Sequence, residues 1–176
     1  MAGGPTPGSP ADVQPDADPE QVARTIVLRK LSAAPRTRAE LAGELAKRGV
    51  DSEVATHVLD RFVEVGLVDD ADFAQMWVES RQRTRGTARP VLRRELRDKG
   101  VAEEYIDAAL ADLDGESESE AARMLVARKW KSVARLDEQV RTRRLMSMLQ
   151  RRGHGMSIAL TAIREVSESA CEADQG

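Results

Sequence analysis

Cysteine is almost missing. Cys171 is the only one in 176 residues, which excludes an internal disulfide and any multi-cysteine metal site. A reduced, cytoplasmic setting is the corresponding expectation. Aromatic residues make up 3%, too few to furnish a stacking platform for bases. No apolar run approaches the ~20 residues that a membrane-spanning helix needs, so no membrane partner is expected. The opening MAGGPTPGSPADVQPDADPE has neither the early positive charge nor the apolar centre of a secretory signal. Neither a phosphate-cradling G-x-x-x-x-G-K-[ST] nor a G-x-G-x-x-G is present. The two histidines, His57 and His154, stand far apart in sequence, and each reads as a solvated or packed side chain rather than a base or ligand. With no catalytic constellation, no metal set and no cofactor motif, the sequence is that of a binding protein and not of an enzyme.

What is abundant is alanine, leucine, arginine and glutamate, with 41% hydrophobic and 32% charged residues overall. That composition favours helices. It is also periodic. FAQMWVESR (73–81) lines up with VARTIVLRK (22–30) and AARMLVARK (121–129), and LRRELRDKG (92–100) lines up with LAGELAKRG (41–49) and LMSMLQRRG (145–153). Self-similarity at a period near fifty marks a tandem array. The expected fold is all-α, with three tandem three-helix repeats at 20–68, 69–115 and 116–170. Small triplets bury little alone, so stacking into an elongated, curved array is expected. Residues 1–19, acidic and rich in Pro and Gly, are expected to be a disordered tail, and 171–176 a flexible one.

Within each repeat the punctuation is legible. Helices are expected from about Glu20 to Leu31, with Val22, Ile26 and Val27 on one side, and from Thr37, where TRAE has the form of a capping box. Gly49, Gly100 and Gly153 offer left-handed stops to the second helix of each repeat. Asp51 or Ser52 caps the third helix, whose apolar face is Val54, Val58, Leu59 and Phe62. Asp69 and Asp70 read as caps of the helix from Ala71 to about Arg83, rather than as a metal or acid–base pair, since no third ligand is in view. Phe73, Met76 and Trp77 are spaced as a core edge, Leu92 and Leu96 as a seam. A further helix carries Tyr105, Ala109, Leu110 and Leu113. SESE (117–120) has the form of another capping box, followed by helices at about Asp137–Arg152 and Gly155–Glu168.

Charge is sorted by helix. The net charge is −3, but the three acids of 1–19 and the four of the last twelve residues have no base beside them, so 20–164 carries +4. Arg81, Arg83, Arg85, Arg89, Arg93, Arg94, Arg97 and Lys99 crowd repeat two against only Glu95 and Asp98. Arg89, Arg93 and Arg97, four apart, share a ridge. Repeat three offers Arg141, Arg143, Arg144, Arg151 and Arg152 on its second helix, and repeat one Arg36, Arg38, Lys47 and Arg48. The third helices are acidic. A basic stripe along an array suits a long anionic target, a nucleic acid or the acidic groove of a filament. The segment 38–70 is similar to a winged-helix unit, but the helix that would enter the major groove, DSEVATHVLDRFVEVG, is acidic and would repel phosphates.

LVDDADFAQMWVESR, followed by G-x-x-x-x-x-L-x-x-E-L-x-x-K-G-V at Gly86–Val101, resembles the signature of the RecX family, regulators of the bacterial RecA recombinase. The resemblance spans about Glu20 to Val166. The signature positions are matched by Asp69, Asp70, Phe73, Ala74, Trp77, Arg81, Gly86, Leu92, Glu95, Leu96, Lys99 and Gly100. Where the family has an aromatic after Arg-Gly in repeat three, this chain has His154. The resemblance implies three-helix repeats lying in the groove of the RecA–single-stranded DNA filament and modulating its growth, ATPase and strand exchange, with no cofactor. A monomer is expected. From charge placement, the residues facing the filament are Arg81, Arg85, Arg89, Arg93, Arg94, Arg97, Lys99, Arg141, Arg144, Arg151 and Arg152. The alternative is a helical protein that binds DNA directly without a recombinase partner.

Overall fold

The computed structural model describes residues 18–173; of the expected tails at 1–19 and 171–176, residues 1–17 and 174–176 lie outside them, while Pro19 and residues 171–173 are helical rather than tail. Among the described residues there are nine helices and no strand: α1 Pro19–Ala33, α2 Arg38–Ala46, α3 Ser52–Glu64, α4 Asp70–Arg85, α5 Arg89–Asp98, α6 Glu103–Ala109, α7 Gly115–Trp130, α8 Glu138–Arg151 and α9 Met156–Ala173. They form two compact units. One comprises 18–36 with 40–68, the other 37–39 with 69–173.

In the first unit, α1 begins at Pro19 behind the Asp18 cap, which accepts from the Glu20 amide. α3 begins behind Asp51, whose carboxylate accepts from the amides of Glu53 and Val54. The core is Ala23, Val27, Leu41, Leu45, Val58, Leu59, Phe62 and Val68. Val22, expected on the buried side, is exposed; the inward register passes through Ala23 and Val27 instead. Glu44 ties α1 to α2 by accepting from Lys30 at 2.6 Å. The bases Lys30, Arg48 and Lys47, in that order, lower its pKa to about 2.

The second unit holds two further cores. One is built on Phe73, Val78, Leu92, Leu96, Ile106 and Leu110, the other on Leu125, Val126, Leu145, Leu149, Ala159 and Ile163. Each fully buried leucine contributes about 1.5–3 kcal/mol by leaving water. Two expected core positions face outward: Met76 is 43% exposed and Tyr105 39%. Ile106 takes the buried place beside Tyr105, and α6 closes at Ala109, earlier than its sequence suggests. A one-residue shift in helical phase accounts for both, since neighbours on a helix lie about 100° apart.

Two caps also differ from the expected ones. Asp69 caps α4, accepting from Ala71 and Asp72, but the Asp70 carboxylate accepts from the Arg38 amide at 2.8 Å. α7 begins at Gly115, not after Ser117; Asp114 is its cap, and Glu118 accepts from the Arg89 amide at 2.8 Å. These carboxylates satisfy an orphan amide at the start of another helix.

That exchange belongs to a recurring junction. Where α8 ends, Gly153 lies at φ +91°, and a Cβ there would stand 2.6 Å from Val91 Cγ2. The Ala88 amide donates to the Arg152 carbonyl at 2.9 Å. The Arg152 guanidinium donates to the Arg85 carbonyl at 2.8 Å, and His154 Nε2 donates to the Gly86 carbonyl at 2.9 Å. His154 is thus a packed histidine, 3% exposed. Residues 37–39 of this unit repeat the pattern one period earlier. Thr37 Oγ1 donates to the Lys99 carbonyl at 2.6 Å, and Gly100, at φ +75°, faces Ala39 with no room for a Cβ.

Candidate functional site: two basic helices with different partners

α5 and α8 are equivalent helices with similar charge, but their arginines are engaged differently. On α5, Arg93 pairs with Glu103 at 2.9 Å and Asp107 at 2.5 Å, and Arg97 pairs with Glu103. The Arg97 hydrogen bond, first among the causes, holds the Glu103 pKa below its ordinary value. The acids of α6 therefore neutralise two members of the Arg89/Arg93/Arg97 ridge. Arg89 is half-buried and donates to the Leu113 carbonyl at 3.1 Å.

Arg81 and Lys99 are held by an aromatic cluster. Phe73 and Trp77 stack at 5.7 Å. The Arg81 guanidinium lies 4.1 Å and Lys99 Nζ 4.4 Å from the Trp77 ring centroid. Glu95 closes the cluster, accepting from Trp77 Nε1 at 2.8 Å and Arg81 Nε at 3.1 Å. Cations over an indole face gain about 0.5–2 kcal/mol each, so Phe73, Trp77, Arg81, Glu95 and Lys99 act together to pin α4 to α5. Arg85 and Arg94 are exposed and make no ion pair among the described residues.

α8 starts behind Asp137, which accepts from Gln139. Its seam of Leu145, Met148 and Leu149 is buried, which turns the opposite positions toward solvent. Arg144 and Arg151, seven apart, lie on one side of the helix. With Arg143, Arg152 and Lys129 from the end of α7, they line an open groove of about 670 Å³. Its polar lining is completed by Ser132 and Ser147, and no carboxylate borders it. Lys129, Arg143 and Arg144 make no ion pair among the described residues. Arg151 donates to the Ser147 hydroxyl at 2.5 Å. Burial first, then repulsion from Arg151, Arg128 and Arg85, lowers the Arg152 pKa, a sign of unbalanced positive potential. Arg141 turns away, 5.0 Å from the Trp130 ring centroid.

Thus of the expected α8 residues, Arg144, Arg151 and Arg152 come together and Arg141 does not. Lys129, Ser132 and Ser147 join them without having been singled out. Lys129 had a signal, the base ending the VLRK and VARK segments (27–30 and 126–129), and so did Ser147, spaced between Arg144 and Arg151 along α8; Ser132 had none, because its position depends on how the α7–α8 turn folds.

The fold and its charge define a class: helical proteins of tandem three-helix repeats with a basic surface. Comparison with known proteins gives the family. Models of the first, second and third three-helix domains of RecX match residues 23–62, 69–110 and 116–163. Regulatory protein RecX of Streptomyces coelicolor is 49% identical over 97% of this chain and 91% of its own length. That of Mycobacterium marinum is 46% identical over 89% and 90%. A crystal structure of regulatory protein RecX superposes with a TM-score of 0.71 at 25% identity, over 83% of this chain and 73% of that one. RecX from Lactobacillus salivarius does so at 0.73 and 19% identity, over 86% and 98%, a likeness of fold. The chain belongs to the RecX family of regulatory proteins.

Proposed function

We propose that this protein regulates homologous recombination and DNA repair by binding the RecA filament on single-stranded DNA. Bound there, it inhibits the filament's ATPase, recombinase and coprotease activities. It does so in the cytoplasm, as a monomer and without chemistry of its own. Family membership supports a recombinase as the partner class. The observation that carries the mode of binding is the exposed, uncompensated charge on α8, joined by Arg85 and Arg94 of repeat two. A filament is a repeating anionic lattice, and cations along one face of a helical protein gain from it by counterion release. The α5 ridge, neutralised by α6, contributes less than its sequence suggests, because a guanidinium already paired has to exchange one carboxylate for another.

Co-sedimentation with recombinase-coated single strands, read together with ATP hydrolysis, tests this. The protein is expected to pellet with the filament and slow hydrolysis. Reversal of Arg144 and Arg151 to Glu weakens both effects at least tenfold, and reversal of Arg93 and Arg97 weakens them less. No pelleting and no change in hydrolysis would refute the regulator reading.

A further inference from the structure

We infer that the groove between the end of α7 and α8 is a binding site for a nucleic-acid phosphodiester backbone, placed where the preceding repeat receives its successor. The inference rests on the regulator reading above, because a protein acting on a recombinase-coated strand meets phosphates, and it names the ligand of that surface.

Two observations carry it. The first is what the junction residues become in repeat three. Aligning Leu92 with Leu145 and Gly100 with Gly153 puts Arg144 at the place of Val91 and Arg141 at that of Ala88. Val91 and Ala88 receive Gly153 by close apolar contact. A guanidinium at the place of Val91 fills that seat with charge, so α8 is not shaped to receive a further repeat. The face is open, and it has been turned from an apolar seat into a cationic one.

The second is what the groove lacks. Its apolar members, Val133 and Met148, are 1% and 9% exposed, so they offer no anchor to a visiting chain. Trp130 is covered on one face by Arg141. Protein interfaces draw most of their energy from buried aromatic and apolar anchors, and this groove presents none. Binding of a polyanion needs only cations in a row with hydroxyl donors between them. Arg144, Ser147 and Arg151 form such a row, spaced by three and four residues along one side of α8, with Lys129 and Arg143 facing it. The groove has no aromatic platform for bases, and its cations address the backbone, so binding is expected to be independent of sequence.

The test is fluorescence anisotropy with a fluorescein-labelled oligothymidine strand, titrated at several salt concentrations. Arg144→Glu/Arg151→Glu is expected to weaken binding at least tenfold and to flatten the slope of log affinity against log salt by about 1.4, two phosphate contacts at ~0.7 each. Arg29→Glu/Arg61→Glu makes the same change in net charge at exposed positions outside the groove and is expected to retain most of the affinity. Arg144→Lys/Arg151→Lys restores binding. Equal losses in the two reversed variants, or no loss in the first, would overturn the site. Displacement of the strand by polyglutamate of matched charge at equal or lower concentration would overturn the phosphodiester assignment in favour of an acidic protein. The regulator reading fails separately: wild-type protein that binds oligothymidine but ignores recombinase-coated DNA refutes the partner and leaves the groove standing.

Discussion

Replacing Gly153 by alanine should loosen the junction inside the second unit by a calculable amount. The residue sits at φ +91°, where a side chain costs about 1–2 kcal/mol through its clash with the following carbonyl. The new Cβ would also lie 2.6 Å from Val91 Cγ2 and 3.5 Å from Ala88 Cβ. Val91 is on α5 and the Ala88 amide is bonded to Arg152, so neither retreats freely. Overpacking of this kind adds about 1–3 kcal/mol. Together they predict a loss of about 2–5 kcal/mol, or roughly 4–20 °C in melting temperature for a chain of this size. Circular dichroism at 222 nm during heating is the assay. Gly43→Ala is the control: it lies inside α2 with nothing within 4 Å of a Cβ, so it should gain about 0.5–1 kcal/mol. Adding Val91→Ala to Gly153→Ala should recover part of the overpacking cost and none of the backbone cost. A Gly153→Ala protein melting within a degree of wild type would refute the close packing of repeat three on α5.

Leu145→Ala removes a fully buried side chain from the third core and should cost about 2–5 kcal/mol, read by urea denaturation. Glu95→Ala leaves Trp77 Nε1 and Arg81 without their acceptor; a loss of about 1–3 kcal/mol and a shift in tryptophan emission are expected. Glu44 has a depressed pKa, about 2 in the folded chain against an ordinary 4.5. Its ionised form therefore stabilises the fold fully above pH 4.5, and that contribution fades as pH falls toward 2. The difference in stability between wild type and Glu44→Gln should accordingly be constant from pH 7 to about 5 and vanish near pH 2; a difference unchanged at pH 2 would contradict the Lys30–Glu44 pairing.

Much of this molecule is legible in its sequence because the repeats report one another. The tandem triplets, the Asp51 and Asp69 caps, the left-handed Gly49, Gly100 and Gly153, and the Leu92/Leu96 seam all follow from local spacing. Non-local chemistry does not. Asp70 and Glu118 look like caps of their own helices and serve the starts of others, Arg38 and Arg89. Nothing local distinguishes Asp69 from Asp70. The same limit applies to the basic surface. Counting charges along α5 suggests an open ridge, but Glu103 and Asp107, six to fourteen residues away, fold back on Arg93 and Arg97. On α8 an equally basic sequence stays uncompensated, because α9 brings no carboxylate to the groove. Two helices alike in composition thus differ in how their charge is engaged, through their third-helix neighbours.

Hydrogen exchange of the protein bound to recombinase-coated single strands tests the central claim most directly. Slowed exchange should concentrate in the α7–α8 turn and along α8, residues 129–152, with smaller changes around Arg85–Arg94. Protection confined to the acidic helices α3 and α6, or none in 129–152, would contradict it.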